Sequence, residues 1–267
     1  MAHNDVVYWS MQELQESVPS NAQVLAFGDS WFHYPMLGGS LINNIGDLVK
    51  PTGRKILVTG KNGVEIRKFA EGYWQQRFRS VIRFYGQTCD AILLSGGGND
   101  FAGFDDLRPL LKGDCSNVST AEECFREGDG EDTIIRLQQQ VRAAYAQLIT
   151  EASLTIPGSA KFFAHNYDYA PVTGKGFMGG EAWIRPALED ARVPKKLHNA
   201  CVKLIIDGHS NTLAQLQSSL PGRFVFVDSR NTLGPKDWAN ELHPTGKGFD
   251  KVVKAAWVSP LKLAGLI

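Results

Sequence analysis

Four short, widely separated pieces of this 267-residue chain carry side chains that together could attack an ester: Phe27-Gly28-Asp29-Ser30, Asn62-Gly63, Gly97-Gly98-Asn99-Asp100 and His243-Pro244. A serine hydroxyl is a weak nucleophile at neutral pH and needs a base within hydrogen-bond reach. Ser30 follows a glycine that permits a tight turn and reads as that nucleophile, although turns and helix caps use the same Gly-Asp-Ser triplet. Attack on a carbonyl develops negative charge on oxygen, which calls for preorganised donors and no competing carboxylate. The backbone N–H groups of Ser30 and Gly63 and the Asn99 side-chain amide are the candidates; the alternative for Asn99 is a turn residue satisfying local backbone. His243 is the candidate base, an imidazole that must be neutral to take the Ser30 proton. It precedes Pro244-Thr245-Gly246, a loop-to-helix entry that would hold it at a fixed angle. Of the other histidines, His33 and His165 read as shaping the pocket, and His3, His198 and His209 as peripheral.

Residues so far apart converge only if a sheet brings them to one edge. Short β-branched runs over 24–27, 55–59, 91–95, 161–164 and 223–227 alternate with longer helical patterns, which predicts an α/β fold with a mainly parallel, five-stranded sheet. Helices are expected over 41–49, 64–72, 73–85, 133–151, 194–219 and 246–258. Sites in such sheets form at the C-terminal strand ends, and the motifs fall there: Asp29-Ser30 after the first run, Asn62-Gly63 after the second, Asn99 after the third. The chain reads as a single domain, 1–267, with loop insertions 101–132 and 166–193 over the site. The first is equally well read as a variable surface loop. The second carries Tyr167, Tyr169, Phe177 and Trp183, aromatics that are costly to expose unless they cover something, so substrate contact is expected there. The neighbours Trp31, Phe32, His33 and Tyr34 fit the floor of a site or a core equally well.

Composition narrows the classes. Lys+Arg and Asp+Glu balance at 28 each, and no dense basic stretch would track a phosphate backbone, so nucleic acid is not an expected partner. No apolar run is long enough to span a bilayer, and the first residues lack the pattern of a secretory leader; the chain reads as soluble. No residues show metal-ligand spacing, and neither Gly60-Lys61-Asn62-Gly63 nor the triple glycine has the pattern of a phosphate loop or a dinucleotide fingerprint. Neither a metal nor an organic cofactor is expected. Four cysteines are too few for a disulfide scaffold. Cys89 and Cys201 read as packed small hydrophobes, whereas Cys115 and Cys124 bracket a polar loop that a disulfide could close. A bonded pair would indicate a secreted or periplasmic protein, a free pair a cytoplasmic one.

The set Gly28-Asp29-Ser30, Gly63, Gly97-Gly98-Asn99-Asp100 and Asn240-Glu241-Leu242-His243-Pro244 resembles the four signature blocks of the SGNH hydrolase superfamily, the GDSL-type esterases and lipases, in the same order along most of the chain. The resemblance implies a flavodoxin-like three-layer sandwich and the same roles: Ser30 as nucleophile, Ser30, Gly63 and Asn99 as oxyanion hole, His243 as base. One position departs. The family usually has aspartate three residues before the histidine, where this chain has Asn240. Three explanations are open: Asp237 supplies the carboxylate, which a buried imidazolium would favour; a Ser-His dyad works with Asn240 or a backbone carbonyl as orienter; or activity is low or lost. Asp228 and Glu241 are outside candidates for the acid.

The expected function is a serine esterase acting on a small acyl ester or an acetylated carbohydrate, through an acyl-enzyme on Ser30. The alternative is a degenerate scaffold that binds a carbohydrate or acyl ligand.

Overall fold

The computed structural model describes residues 5–34 and 39–267; His3 lies outside them. The five expected strands are present, as β2 (Val24–Gly28), β3 (Ile56–Gly60), β4 (Ala91–Ser95), β5 (Lys161–His165) and β6 (Phe224–Val227). The sheet has six strands rather than five, because Val7–Tyr8 adds a short edge strand, β1. Two residues are too few to display an alternating pattern, so this strand exists only through its pairing with β3. All pairings are parallel, in the order β1-β3-β2-β4-β5-β6. The central strands are covered on both faces, which accounts for their uninterrupted apolar runs.

Two features of this topology position the site. The chain leaves β2 towards β3 on one side and later returns to β4 on the other, so β2 is where the strand order reverses and a crevice opens beyond its C-terminal end. The register also levels the strand ends: Gly28 lies beside Gly60 and Ser95, Ser95 beside His165, and His165 beside Val227. The segments carrying Ser30, Gly63, Asn99, Tyr167 and Asp228 therefore all leave the sheet at one height.

The helices that connect the parallel strands lie in two layers. Gly72–Tyr85, Ile134–Ser153 and His198–Ser219 pack side by side on one face, and Leu41–Val49 packs with Gly246–Val252 on the other. Ile134–Ser153 shows the local logic: Thr133 caps it by accepting the Arg136 N–H, and Leu137, Val141, Ala144, Leu148 and Ala152 form one buried stripe. The helix expected over 64–72 shrinks to Ile66–Phe69, and the last helix continues past Val252 through a π turn, Val253–Trp257, into Val258–Leu263.

The stretch 101–132 contains short turns tied by an antiparallel bridge between Leu111 and Phe125. Cys115 and Cys124 are free, buried thiols, so no disulfide closes this loop. The stretch 166–193 includes the helix Arg185–Asp190 and is fastened from below by Glu241. That carboxylate, with no exposed surface, accepts the N–H groups of Gly174 at 2.8 Å, Trp183 at 3.0 Å and Ile184 at 2.9 Å. A buried charge is tolerable only when hydrogen-bonded in this way.

Candidate active site

β2 ends at Gly28, and Asp29 turns the chain into a one-turn helix, Ser30–His33, by accepting the Trp31 N–H at 2.9 Å. Ser30 is thereby the first helical residue, and its backbone N–H has no acceptor within the helix. Its Oγ lies 2.7 Å from His243 Nε2, across 213 residues of sequence. The Trp31 indole N–H, donating to the Leu242 carbonyl at 2.9 Å, ties the serine helix to the histidine loop.

The loop itself fixes which imidazole nitrogen carries the proton. Asn240 Oδ1 accepts the backbone N–H groups of Leu242 at 3.0 Å and His243 at 2.9 Å, and it lies 3.0 Å from His243 Nδ1. Two backbone donors leave no choice about which amide atom faces them. The contact with Nδ1 must then be Nδ1–H donating to Oδ1, and Nε2 is left with a lone pair towards the Ser30 hydroxyl. The Asn240 Nδ2 donates to the Tyr34 hydroxyl at 3.0 Å, and the Tyr34 ring stacks on His243 at 4.3 Å and 14°. Trp183 meets the same imidazole edge-on at 5.7 Å. Burial without a charged partner lowers the His243 pKa to about 3, so the ring is neutral and basic over the ordinary working range.

No carboxylate bonds to His243 among the described residues. Asp237, the acid favoured from sequence, does not reach it: its carboxylate accepts Gly234 N–H at 2.7 Å and Lys251 Nζ at 2.6 Å, and its carbonyl accepts Thr245 N–H at 2.7 Å. The residues between Asp237 and His243 form a loop closed by a Trp238–Pro244 bridge rather than a helix, so helical spacing does not apply. Asp228 pairs with Arg230 and Asn166, and Glu241 holds the 166–193 segment. Of the alternatives for the partner of His243, Asn240 is the residue in contact.

Gly63 occupies a tight turn in which Val64 N–H donates to the Lys61 carbonyl, at a φ of 80° that favours glycine. The Asn99 Nδ2 donates to the Val64 carbonyl at 3.1 Å, which ties the amide to that turn and leaves its second N–H for another acceptor. The three glycines before Asn99 are explained by packing. A Cβ on Gly96, Gly97 or Gly98 would come within 2.7 Å of Ile66, 2.4 Å of His209 and 2.7 Å of Tyr167. His209, expected at the periphery, is thus buried against the motif, and His198 is buried as well.

Behind the serine lies a buried chain of hydrogen-bonded side chains. Tyr167 OH donates to Asp29 Oδ2 at 2.5 Å; Asp29 Oδ1 is 2.7 Å from Ser95 Oγ, which is 2.8 Å from His165 Nε2; His165 Nδ1 faces the Asn166 carbonyl at 2.5 Å. That carbonyl can only accept, so Nδ1 is protonated. The single Ser95 proton then serves either Asp29, which makes His165 an imidazolium, or His165, which makes Asp29 a carboxylic acid. Both arrangements hold one proton more than a carboxylate beside a neutral imidazole. Burial raises the Asp29 pKa and lowers that of His165 to about 3, which favours the arrangement with both groups neutral.

The four aromatics of the second insertion divide. Trp183 and Phe177 stand on the histidine side, Phe177 edge-on to Tyr34 at 6.1 Å. Tyr167 is buried beneath the serine. Tyr169 is not brought to the site; its hydroxyl donates to Asp207 at 2.7 Å and Lys203 lies over its ring. A small cavity lined by Ser30, Asn99, Tyr167 and mainly apolar side chains opens beside the nucleophile. Ser95 was not foreseen as part of the site, since within a buried strand its hydroxyl carries no sequence signal. Among the described residues no group of side chains could hold a metal ion, and no helix is long and apolar enough to cross a membrane.

No protein-family model matches the sequence, and no curated protein matches it significantly. Solved structures do match. An extracellular lipase from Streptomyces rimosus superposes with a TM-score of 0.54 at 16% identity, over 88% of this chain and 99% of that one. A protein assigned as an SGNH hydrolase from Slackia heliotrinireducens gives 0.50 at 11% identity, over 92% and 98%. An active-site mutant of a family two carbohydrate esterase from Clostridium thermocellum gives 0.52 at 12% identity, over 92% and 65%. With its parallel sheet flanked by helices and the four motif segments level at one edge, the chain has the fold of the SGNH hydrolases.

Proposed function

We propose that the protein is a serine esterase that cleaves a small acyl ester or an acetylated carbohydrate. The observation that carries this reading is the 2.7 Å contact between Ser30 Oγ and a His243 nitrogen whose lone pair is fixed towards it by Asn240. Ser30 Oγ attacks the ester carbonyl carbon while His243 Nε2 takes its proton. Negative charge on the carbonyl oxygen is met by the Ser30 and Gly63 N–H groups and the Asn99 amide. Collapse of the tetrahedral intermediate breaks the bond to the alcohol, which leaves with the proton from His243 and an acyl group on Ser30. Water, deprotonated by the same imidazole, releases the acid and regenerates the serine. Asn240 orients the imidazole without neutralising it, so the reading is a dyad with an amide orienter. The lipase and the carbohydrate esterase among the structural neighbours are consistent with ester chemistry and do not decide the alcohol.

Ser30→Ala should abolish hydrolysis of p-nitrophenyl acetate and labelling by a fluorophosphonate while leaving the thermal midpoint within a few degrees of the parent. Undiminished turnover by that variant would overturn the assignment. The missing carboxylate favours a second reading, a ligand-binding scaffold without turnover. Failure of the parent protein to label, with retained binding of an acylated glycan, would support it.

A further inference from the structure

We propose that the cavity beside Ser30 is an acyl subsite that admits acyl groups of about two to four carbons, and that the alcohol of the natural ester is much larger. This rests on the serine-esterase reading and specifies its substrate. The cavity begins at Ser30 and the Asn99 amide, where the acyl carbon of an acyl-enzyme would sit, and its walls are Ala102, Ile184, Val202, Ile206, Trp238 and Leu242. Its volume is about 30 Å³. A water-sized group needs roughly 10–15 Å³, so only two or three such groups fit beyond the carbonyl. Apolar walls suit the hydrocarbon end of an acetyl, propionyl or butyryl group, and the small volume leaves little room for a longer chain.

These walls are not built to yield. Val202 and Ile206 belong to the long helix His198–Ser219, and both are almost fully buried in the core. Ile184, also buried, has its backbone N–H held by the Glu241 carboxylate at 2.9 Å. Widening the cavity on this side would move either a central helix or a backbone pinned to a buried charge.

His243 must hand its proton to the departing alcohol, so the alcohol leaves past the imidazole. Tyr34 and Asn240, which contact that ring, also border with Lys175, Phe177, Met178 and Ala239 a neighbouring cleft of about 380 Å³. Larger than the acyl cavity, it has room for a polar alcohol the size of a sugar unit.

The test is a series of p-nitrophenyl esters from acetate to octanoate, with the Ser30→Ala protein as blank. The parent should favour acetate to butyrate over octanoate by at least tenfold in kcat/KM. Ile206→Ala should raise the octanoate-to-acetate ratio by about tenfold, and Ala102→Leu should lower butyrate relative to acetate, each with a thermal melt as a folding check. Phe177→Ala should raise KM for an acetylated oligosaccharide severalfold more than it raises KM for p-nitrophenyl acetate. A parent that treats octanoate like acetate, or a ratio that neither cavity variant moves, overturns the acyl subsite even when Ser30→Ala is inactive. An active Ser30→Ala overturns the serine reading beneath it.

Discussion

The residue that sets the character of this site is Asn240. Its Oδ1 does the orienting work of a triad carboxylate, because two backbone N–H groups and the imidazole Nδ1 all converge on it. It cannot supply the negative charge that would stabilise an imidazolium. In a serine-protease triad an aspartate-to-asparagine change costs about 10⁴ in turnover, part of it through the wrong tautomer; here the tautomer is already the productive one, so only the electrostatic part is missing. Asn240→Asp should therefore raise kcat for p-nitrophenyl acetate by about 10- to 100-fold. It should also move the acid limb of the pH–rate profile up, since a carboxylate raises an imidazole pKa that burial now holds near 3. Asp237→Asn should leave both unchanged, as its carboxylate contacts Gly234 and Lys251 instead. Steady-state rates from pH 4 to 9 read all three outcomes. At this scale the sequence pointed to Ser30 and His243 as a pair, and the fold brings them within 2.7 Å of each other, although each residue type alone has other uses in turns and caps. It was misleading about Asp237, since charge suggested a partner that the loop geometry withholds.

At the scale of elements, the site is assembled from segments that make little regular structure. The histidine loop reaches the serine helix through the Trp31 indole and the 166–193 segment through Glu241. Glu241→Ala would leave the buried N–H of Ile184 and the partly buried N–H groups of Gly174 and Trp183 without their acceptor. An unsatisfied buried donor costs about 1–3 kcal/mol, so a loss of about 2 kcal/mol or more in urea-unfolding stability is expected, with Glu241→Gln losing less. A loss below about 1 kcal/mol for Glu241→Ala would show that the clasp matters little. The strands and long helices were legible because each carries its own periodic or continuous apolar pattern. The edge strand Val7–Tyr8 and the fastening of 166–193 were not, because both depend on a partner distant in sequence.

Across the whole molecule, buried histidines shape the response to acid. Burial lowers the pKa of His33 and His209 to about 4 and that of His243 to about 3, below the ordinary value of 6.5. Between pH 6.5 and about 4 the unfolded chain binds protons at these positions that the folded chain refuses, so stability falls as pH falls. Asp100, raised to about 6 by burial, works in the opposite sense below that pH but is one group against three. Urea midpoints should therefore decline steadily from pH 7 to pH 4.5; a flat or rising profile would contradict this balance. What the sequence by itself determined was the alternation of strands and helices and a set of candidate side chains, Ser30 and His243 among them, because both depend on local chemistry and short-range periodicity. Only the tertiary structure decided that Asn240 rather than Asp237 stands behind His243, that the triple glycine makes room for Ile66, His209 and Tyr167, and that Asp29 shares a proton with His165. Those facts depend on distances between atoms that only the folded sheet brings together.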